Sequence, residues 1–275
     1  MVKIGIFDSG IGGITVLTEL CKRLKGVSYF YLGDTAHLPY GAKSPSQVQK
    51  LSVECAQVLK KKKVDALIVA CNTASSLALE AVRAMMHPIP VFGVVHPGVQ
   101  AALSALEGMK SGDFEIPLLV LATRATTRSQ AYALAFEKEI RFCPQLKLGR
   151  FPVLEQPCSV LVPLIEEGWI DHPVLHQTVA EYVRPHLMRY STGVALLACT
   201  HYPWIHSAFE KALPGWRIVN SAQAVAQSLV QSDLFGGSIV SENDQNQIEW
   251  SFTDPDVVPE FAKQIIYNQP FSLCL

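Results

Sequence analysis

The chain has 275 residues, 49% of them hydrophobic and 17% charged, with a formal net charge of −1. That length allows one large domain or two ordinary ones, and so apolar a composition excludes disorder. The charge balance exerts no pull toward nucleic acid or an anionic membrane, and no window offers the roughly 18 uninterrupted apolar residues of a membrane span.

The N-terminus enters a strand pattern at once, Lys3 to Phe7, without the apolar stretch and cleavage site of a signal peptide. A cytoplasmic protein is expected. Asp8-Ser9-Gly10-Ile11-Gly12-Gly13 then turns the chain into a helix over Ile14 to Leu24. A glycine-rich turn between strand and helix suits an anion, because helix N-terminal amides are unpaired. This one matches neither the dinucleotide fingerprint nor the phosphate loop. An acid directly before the turn would repel a phosphate, so Asp8 favours a ligand that carries an amine.

Val27 to Leu32 reads as the second strand, followed by a turn-rich loop from Gly33 to Gly41. Ser44-Pro45 reads as an N-cap with proline at the first helical position, opening a helix to about Lys62. The apolar run Val64 to Ala70 stops at Cys71, with Asn72-Thr73-Ala74 after it. Such a run reads as a strand buried on both faces, as in a parallel sheet. Ser75 to Met86 has a helical pattern and Pro90 to Val95 a strand pattern. His96-Pro97-Gly98 is expected to break the chain before a helix through Ala105. Met109 to Ile116 is polar and turn-rich, a boundary between halves.

The theme then repeats. Pro117 to Ala122 reads as a strand, Thr123 to Ser129 as a hydroxyl-rich loop and Ala131 to Ile140 as a helix. Arg150 to Leu154 reads as a strand, and Cys158 to Glu167 and Val174 to Met188 as helices. Val194 to Ala198 is a second apolar run that stops at a cysteine, Cys199, with Thr200-His201 after it. A helix through Leu213, a strand from Trp216 to Val219 and a helix capped by Ser221 and reaching about Leu234 follow. Gly236 to Asn246 is loop-like, Gln247 to Thr253 a strand and Val258 to Ile266 a closing helix. Strand–helix alternation throughout specifies an α/β fold with mainly parallel sheets. The echo of one cysteine strand in the other suggests two similar lobes.

Ligands of open α/β sheets bind at the carboxyl ends of strands, which is where Cys71 and Cys199 fall. The seven cysteines are odd in number and none is at CxxC spacing, so neither a zinc site nor a disulfide framework is expected. Cys21, Cys55, Cys143 and Cys274 read as buried small hydrophobes. A thiol after a strand and before a helix N-terminus is pushed toward thiolate. Two such thiols on opposite faces of one carbon can take a proton from one side and return one from the other, inverting a stereocentre without a cofactor. The hydroxyls and amides of Ser9, Asn72, Thr73, Thr126 and Thr200 suit substrate carboxylates. Asp8 suits an ammonium or a nearby thiol, and His201 can polarise or relay a proton for Cys199. A Cys-His nucleophile acting on a carbonyl, and an intramolecular redox pair, are the alternative chemistries.

Four stretches resemble, in order and spacing, the signatures of bacterial glutamate racemases within the aspartate/glutamate racemase superfamily. They are Asp8-Ser9-Gly10-Ile11-Gly12-Gly13, Leu38-Pro39-Tyr40-Gly41, Cys71-Asn72-Thr73-Ala74 and Cys199-Thr200-His201-Tyr202-Pro203. The resemblance spans nearly the whole chain. It implies a two-base racemase, without metal or other cofactor, that interconverts L- and D-glutamate and supplies the D form for peptidoglycan. By the family pattern Cys71 acts on the D-enantiomer and Cys199 on the L-enantiomer. Asp8, His201 and Glu166 would assist as acid/base groups, and Asp8-Ser9, Tyr40-Gly41, Asn72-Thr73 and Thr200-His201 would bind substrate. The implied fold is two pseudo-symmetric α/β lobes with the site in the cleft between them. Residues 1–96 would form the first lobe, completed by 211–275, and residues 97–210 the second. A homodimer is implied as well.

The chain departs from that pattern at three places. The family commonly has glutamate at the position of His96, proline at that of Ser159 and aspartate at that of Asn220. A racemase or epimerase of aspartate or diaminopimelate would carry the same thiols. An amino-acid-binding protein on the same lobes would need no thiol pair, so the presence of both cysteines and Asp8 argues against it.

Overall fold

The computed structural model describes residues 1–107, 109, 115–142, 151–232 and 245–267. The first half of the chain forms β1 (Val2–Asp8), α1 (Ile14–Arg23), β2 (Val27–Gly33), α2 (Pro45–Lys61), β3 (Ala66–Val69), α3 (Asn72–Leu77), α4 (Leu79–Met86), β4 (Val91–Gly93) and α5 (Val95–Leu106). The second half forms β5 (Leu118–Ala122), α6 (Arg124–Ser129), α7 (Ala131–Phe142), β6 (Val153–Pro157), α8 (Leu161–Glu166), α9 (Pro173–Leu187), β7 (Val194–Ala198) and α10 (His206–Ala212). After these come β8 (Arg217–Asn220), α11 (Ser221–Val230), β9 (Gln247–Phe252) and α12 (Glu260–Tyr267).

The strands make two sheets, ordered β4-β3-β1-β2-β9 and β6-β5-β7-β8. Every pairing is parallel. A parallel sheet covered by helices on both faces needs strands that are apolar throughout, and β3, β5 and β7 are buried at every residue. Alternate side chains serve opposite faces. In the first sheet Leu67 and Val69 pack with Val48 and Leu59 of α2, whereas Ile68 packs with Leu17 and Leu20 of α1. In the second, Leu119, Leu121 and Leu197 meet Val179 and Phe209, whereas Val120 and Leu196 meet Val99 and Phe136. These two sheets, each sandwiched by helices, place two sets of strand ends opposite one another.

Several local expectations change. His96, Pro97 and Gly98 do not break the chain but form the first turn of α5. Proline is tolerated there because first-turn amides have no helical acceptor anyway. The helix after Cys71 starts at Asn72 rather than Ser75, and the hydroxyl-rich stretch from Thr123 is helix rather than loop. In both cases short polar residues that look loop-like are acting as cap and first turn. Asn220, not Ser221, caps α11, its Oδ1 accepting from the Ala222 amide at 2.9 Å. The return to the first lobe also comes later than residue 211. β8 pairs with β7 in the second sheet, and it is α11, packed on α1, and β9, paired with β2, that rejoin the first.

Arg150, Leu234, the stretch from Gly236 through residue 244, most of the Met109–Ile116 boundary, Cys143 and Cys274 lie outside the described residues. The other five cysteines are buried free thiols. No helix among the described residues is long and apolar enough to cross a membrane.

Candidate active site

β1 ends at Asp8, and β3, its hydrogen-bonded neighbour with Val69 opposite Phe7, ends two residues before Cys71. Both side chains therefore leave the first sheet at its carboxyl edge. Cys71 is itself the N-cap of α3: its Sγ accepts from the Ala74 amide at 3.5 Å and its thiol donates to Ser9 Oγ at 3.5 Å. Burial pushes this thiol up to about 12, and the charge of Asp8 adds to the effect, against the Ser9 and Ala74 hydrogen bonds. At Cys71, burial and the Asp8 charge oppose the thiolate that a helix N-terminus would favour. One long N–H···S bond from a short helix is weaker than full desolvation beside a carboxylate.

Cys199 follows β7 directly, and its surroundings are of opposite sign. Its Sγ lies 3.9 Å from Nδ1 of His201, whose Nε2 lies 2.9 Å from Oε1 of Glu166 at the end of α8. Burial alone would favour neutral imidazole, but hydrogen bonding and charge from Cys199 and Glu166 outweigh it and raise His201 to about 10. As imidazolium the ring donates from both nitrogens, one toward sulfur and one toward carboxylate. Trp204 meets the ring edge-on, with centroids 5.7 Å apart, and is in turn met edge-on by Phe261 of α12 at 5.2 Å. One thiol thus has a cation beside it and the other an anion.

Asp8 is fully buried. Its Oδ2 accepts from the Gly10 amide at 3.0 Å and its Oδ1 from Thr200 Oγ1 at 3.2 Å. Burial raises its pKa, while the charge of His201 and these hydrogen bonds pull it back. The contact with Thr200 is one of several that tie the lobes together across the site. Thr15 Oγ1 donates to the Thr200 carbonyl at 2.9 Å. With its amide nitrogen donating to Tyr132 Oη, Asn72 accepts through its oxygen from the backbone amides of Cys199 and Thr200, each at 3.3 Å. Thr73, Thr123 and Thr126 form a closed triangle of hydroxyls at 2.9, 3.1 and 3.0 Å. Glycine is required at two approaches: a Cβ on Gly12 would collide with the Thr200 hydroxyl and the His201 ring, and one on Gly41 would lie 2.6 Å from Thr123 Cβ.

Cys71, Cys199, Ser9, Tyr40, Gly41, Asn72, Thr73, Thr200, His201 and Glu166 line one small cavity between the lobes, of about 20 Å³. Two expected ligands do not reach it. Asp8 lies beneath it, and Thr126 stands behind Thr73 and Thr123. Tyr40 reaches it without its hydroxyl, which donates to Asp34 Oδ2 at 2.6 Å. The reading of the sequence missed Thr123, although a threonine between a strand and a helical pattern is a capping signal. It also missed Tyr132 and Thr15, whose contacts span 60 and 185 positions and leave no local trace. Among the described residues no group of three or more His, Cys, Asp or Glu is arranged to hold a metal ion.

The chain is similar to known proteins in sequence and in fold. The chain is 40% identical over 233 residues to the glutamate racemase of Persephonella marina, covering 85% of this chain and 83% of that one. It is 35% identical over 274 residues to the glutamate racemase of Aquifex pyrophilus, covering 100% and 97%. Among solved structures, a glutamate racemase isoform from Bacillus anthracis superposes with a TM-score of 0.83 at 29% identity, over 99% of this chain and 96% of that one. The glutamate racemase of Francisella tularensis, solved in complex with D-glutamate, gives 0.78 at 28% identity, over 100% and 97%. The family model for Asp/Glu/Hydantoin racemases matches residues 14–229, which include Cys71, Cys199, Glu166 and His201, and the chain belongs to that family.

Proposed function

We propose that this amino-acid racemase interconverts L- and D-glutamate without a cofactor, using Cys71 and Cys199 as its two acid/base groups. The observation that carries the reading is that the two thiols line one small cavity from separate lobes while their neighbours carry opposite charge. Starting from L-glutamate, Cys199 as thiolate beside the His201 imidazolium takes the Cα proton, and the electron pair spreads into the α-carboxylate. Cys71, held as neutral thiol by burial, gives its proton to the opposite face, and D-glutamate forms. Cys199 is left as thiol and Cys71 as thiolate, the form that acts on D-glutamate in reverse. Asp8, beneath the site, supplies negative charge behind Ser9 and Thr200 rather than a direct contact with the substrate ammonium. Hydroxyls and amides of Ser9, Asn72, Thr73 and Thr200 suit its carboxylates in a preorganised, water-poor setting.

The cavity exceeds only slightly the roughly 10–15 Å³ that one water requires. Glutamate therefore enters by parting of the lobes, and closure assembles the site around it. D-glutamate released by a homodimer in the cytoplasm would supply peptidoglycan synthesis. The deciding experiment is incubation with L- or D-glutamate in deuterated water, following Cα exchange and optical rotation, with aspartate and diaminopimelate in parallel. Exchange and loss of rotation with glutamate are expected. No exchange with any of the three overturns the racemase chemistry, and exchange confined to another amino acid replaces the substrate.

A further inference from the structure

A second, larger hollow of about 560 Å³ opens outside the thiol cavity and shares Pro39, Gly41, Thr123 and Val162 with it, so it is the mouth of the same cleft. Its charged lining is of one sign: Lys43, Arg124 and Arg128, with no carboxylate. This is unexpected in a chain whose formal net charge is −1. Among the described residues none of the three cations is in a salt bridge. Local helix electrostatics account for only one of them, Arg128, which lies in the last turn of α6 where a cation is favoured. Arg124 is the first residue of α6, where the helix dipole disfavours a cation. Arg128, four residues on, adds a like charge to the same face. Both arginines are exposed, one lobe away from the half-buried Lys43, so the cations flank the route into the site.

From this lining we infer that Lys43, Arg124 and Arg128 form an electrostatic gateway that concentrates amino acids of net negative charge at the cleft and discriminates against neutral ones. The inference rests on the racemase reading for its substrate. Glutamate, with two carboxylates and one ammonium, carries the net charge such a mouth attracts. A cleft lined by one sign of charge focuses the field and raises the local concentration of its counter-ion.

The test compares wild type with a Lys43→Glu/Arg128→Glu double variant, neither residue lining the thiol cavity. For glutamate racemisation at about 0.01 M ionic strength, where the Debye length is about 30 Å, kcat/KM should fall by about tenfold or more, carried by KM. At about 1 M, where that length is about 3 Å, the difference should vanish. Arg128→Lys, which keeps the charge, should behave as wild type. An unchanged KM at low salt, or a loss that persists at high salt, overturns the gateway. A second readout is independent of racemisation: the rate ratio for alkylation of Cys71 and Cys199 by iodoacetate, an anion, over iodoacetamide, which is neutral. The ratio should drop in the double variant, and an unchanged ratio counts against the gateway even if glutamate proves not to be the substrate.

Discussion

Glu166 Oε1 lies 2.9 Å from Nε2 of His201, on the far side of the ring from Cys199. The carboxylate is thus placed to hold the ring as imidazolium while the other nitrogen faces the thiol. Its role can be separated from packing by charge. Glu166→Gln keeps the shape and a hydrogen-bonding oxygen but removes the negative charge that helps raise His201 to about 10. The imidazolium should then be lost at lower pH, so the alkaline limb of the kcat/KM profile should move down by about one unit or more. An alkaline limb that stays where it is in wild type would show that Glu166 acts only in packing.

Cys71→Ala and Cys199→Ala should each lower racemisation by about 10²-fold or more, the range of a lost general acid or base. Each should leave the circular dichroism spectrum and melting temperature close to wild type, since a small strand-end side chain contributes little to the core. The two directions must be affected alike in kcat/KM, because the enantiomers have equal free energy. Substantial activity in either variant would remove that cysteine from the mechanism.

The sheets were the most legible part of the chain, for a physical reason. A strand buried on both faces must be apolar throughout, so Val194 to Ala198 and Leu118 to Ala122 announce themselves. The glycine turn and the two cysteines were legible because strand ends are marked by an abrupt change from apolar to small polar residues. Helix starts were read less well. Asn72-Thr73 and Thr123-Arg124-Ala125-Thr126 have loop composition, yet the same hydroxyls and amides that favour loops satisfy a first turn. What no local pattern carries is the sign of the field at each thiol. Cys71 is raised because Asp8 and desolvation meet there, and His201 because Glu166 arrives from 35 positions away.

Gly12→Ala tests how closely the first lobe must approach the second. Its added methyl would overlap both the Thr200 hydroxyl and the His201 ring, neither of which is the free end of a flexible chain. Thr200 is fixed by Asp8 and Thr15, and His201 by Glu166 and Trp204. The lobes must therefore separate slightly or the ring must turn away from Cys199. Either displacement should lower kcat by about 10²-fold, the scale of a small misplacement of a catalytic group. Stopped-flow or polarimetric kinetics would measure it, and near-normal kcat would mean the closed spacing is not needed for the chemistry.

Glu155 on β6 offers a test of stability rather than catalysis. It is about half buried, its Oε1 has no hydrogen-bond partner among the described residues, and burial raises its carboxyl to about 7. The folded protein then holds a proton that the unfolded chain releases near pH 4.5. A group that binds its proton more tightly when folded stabilises the fold below its unfolded pKa and loses that contribution as pH rises through its folded pKa. Glu155 should therefore make the protein progressively less stable between about pH 4.5 and about 7. Glu155→Gln, neutral at every pH, should flatten that slope and raise the melting temperature above pH 7 relative to wild type. Melting curves of the two proteins across that range would check it, and parallel curves would mean that the Glu155 carboxylate is already well solvated or paired in the folded state.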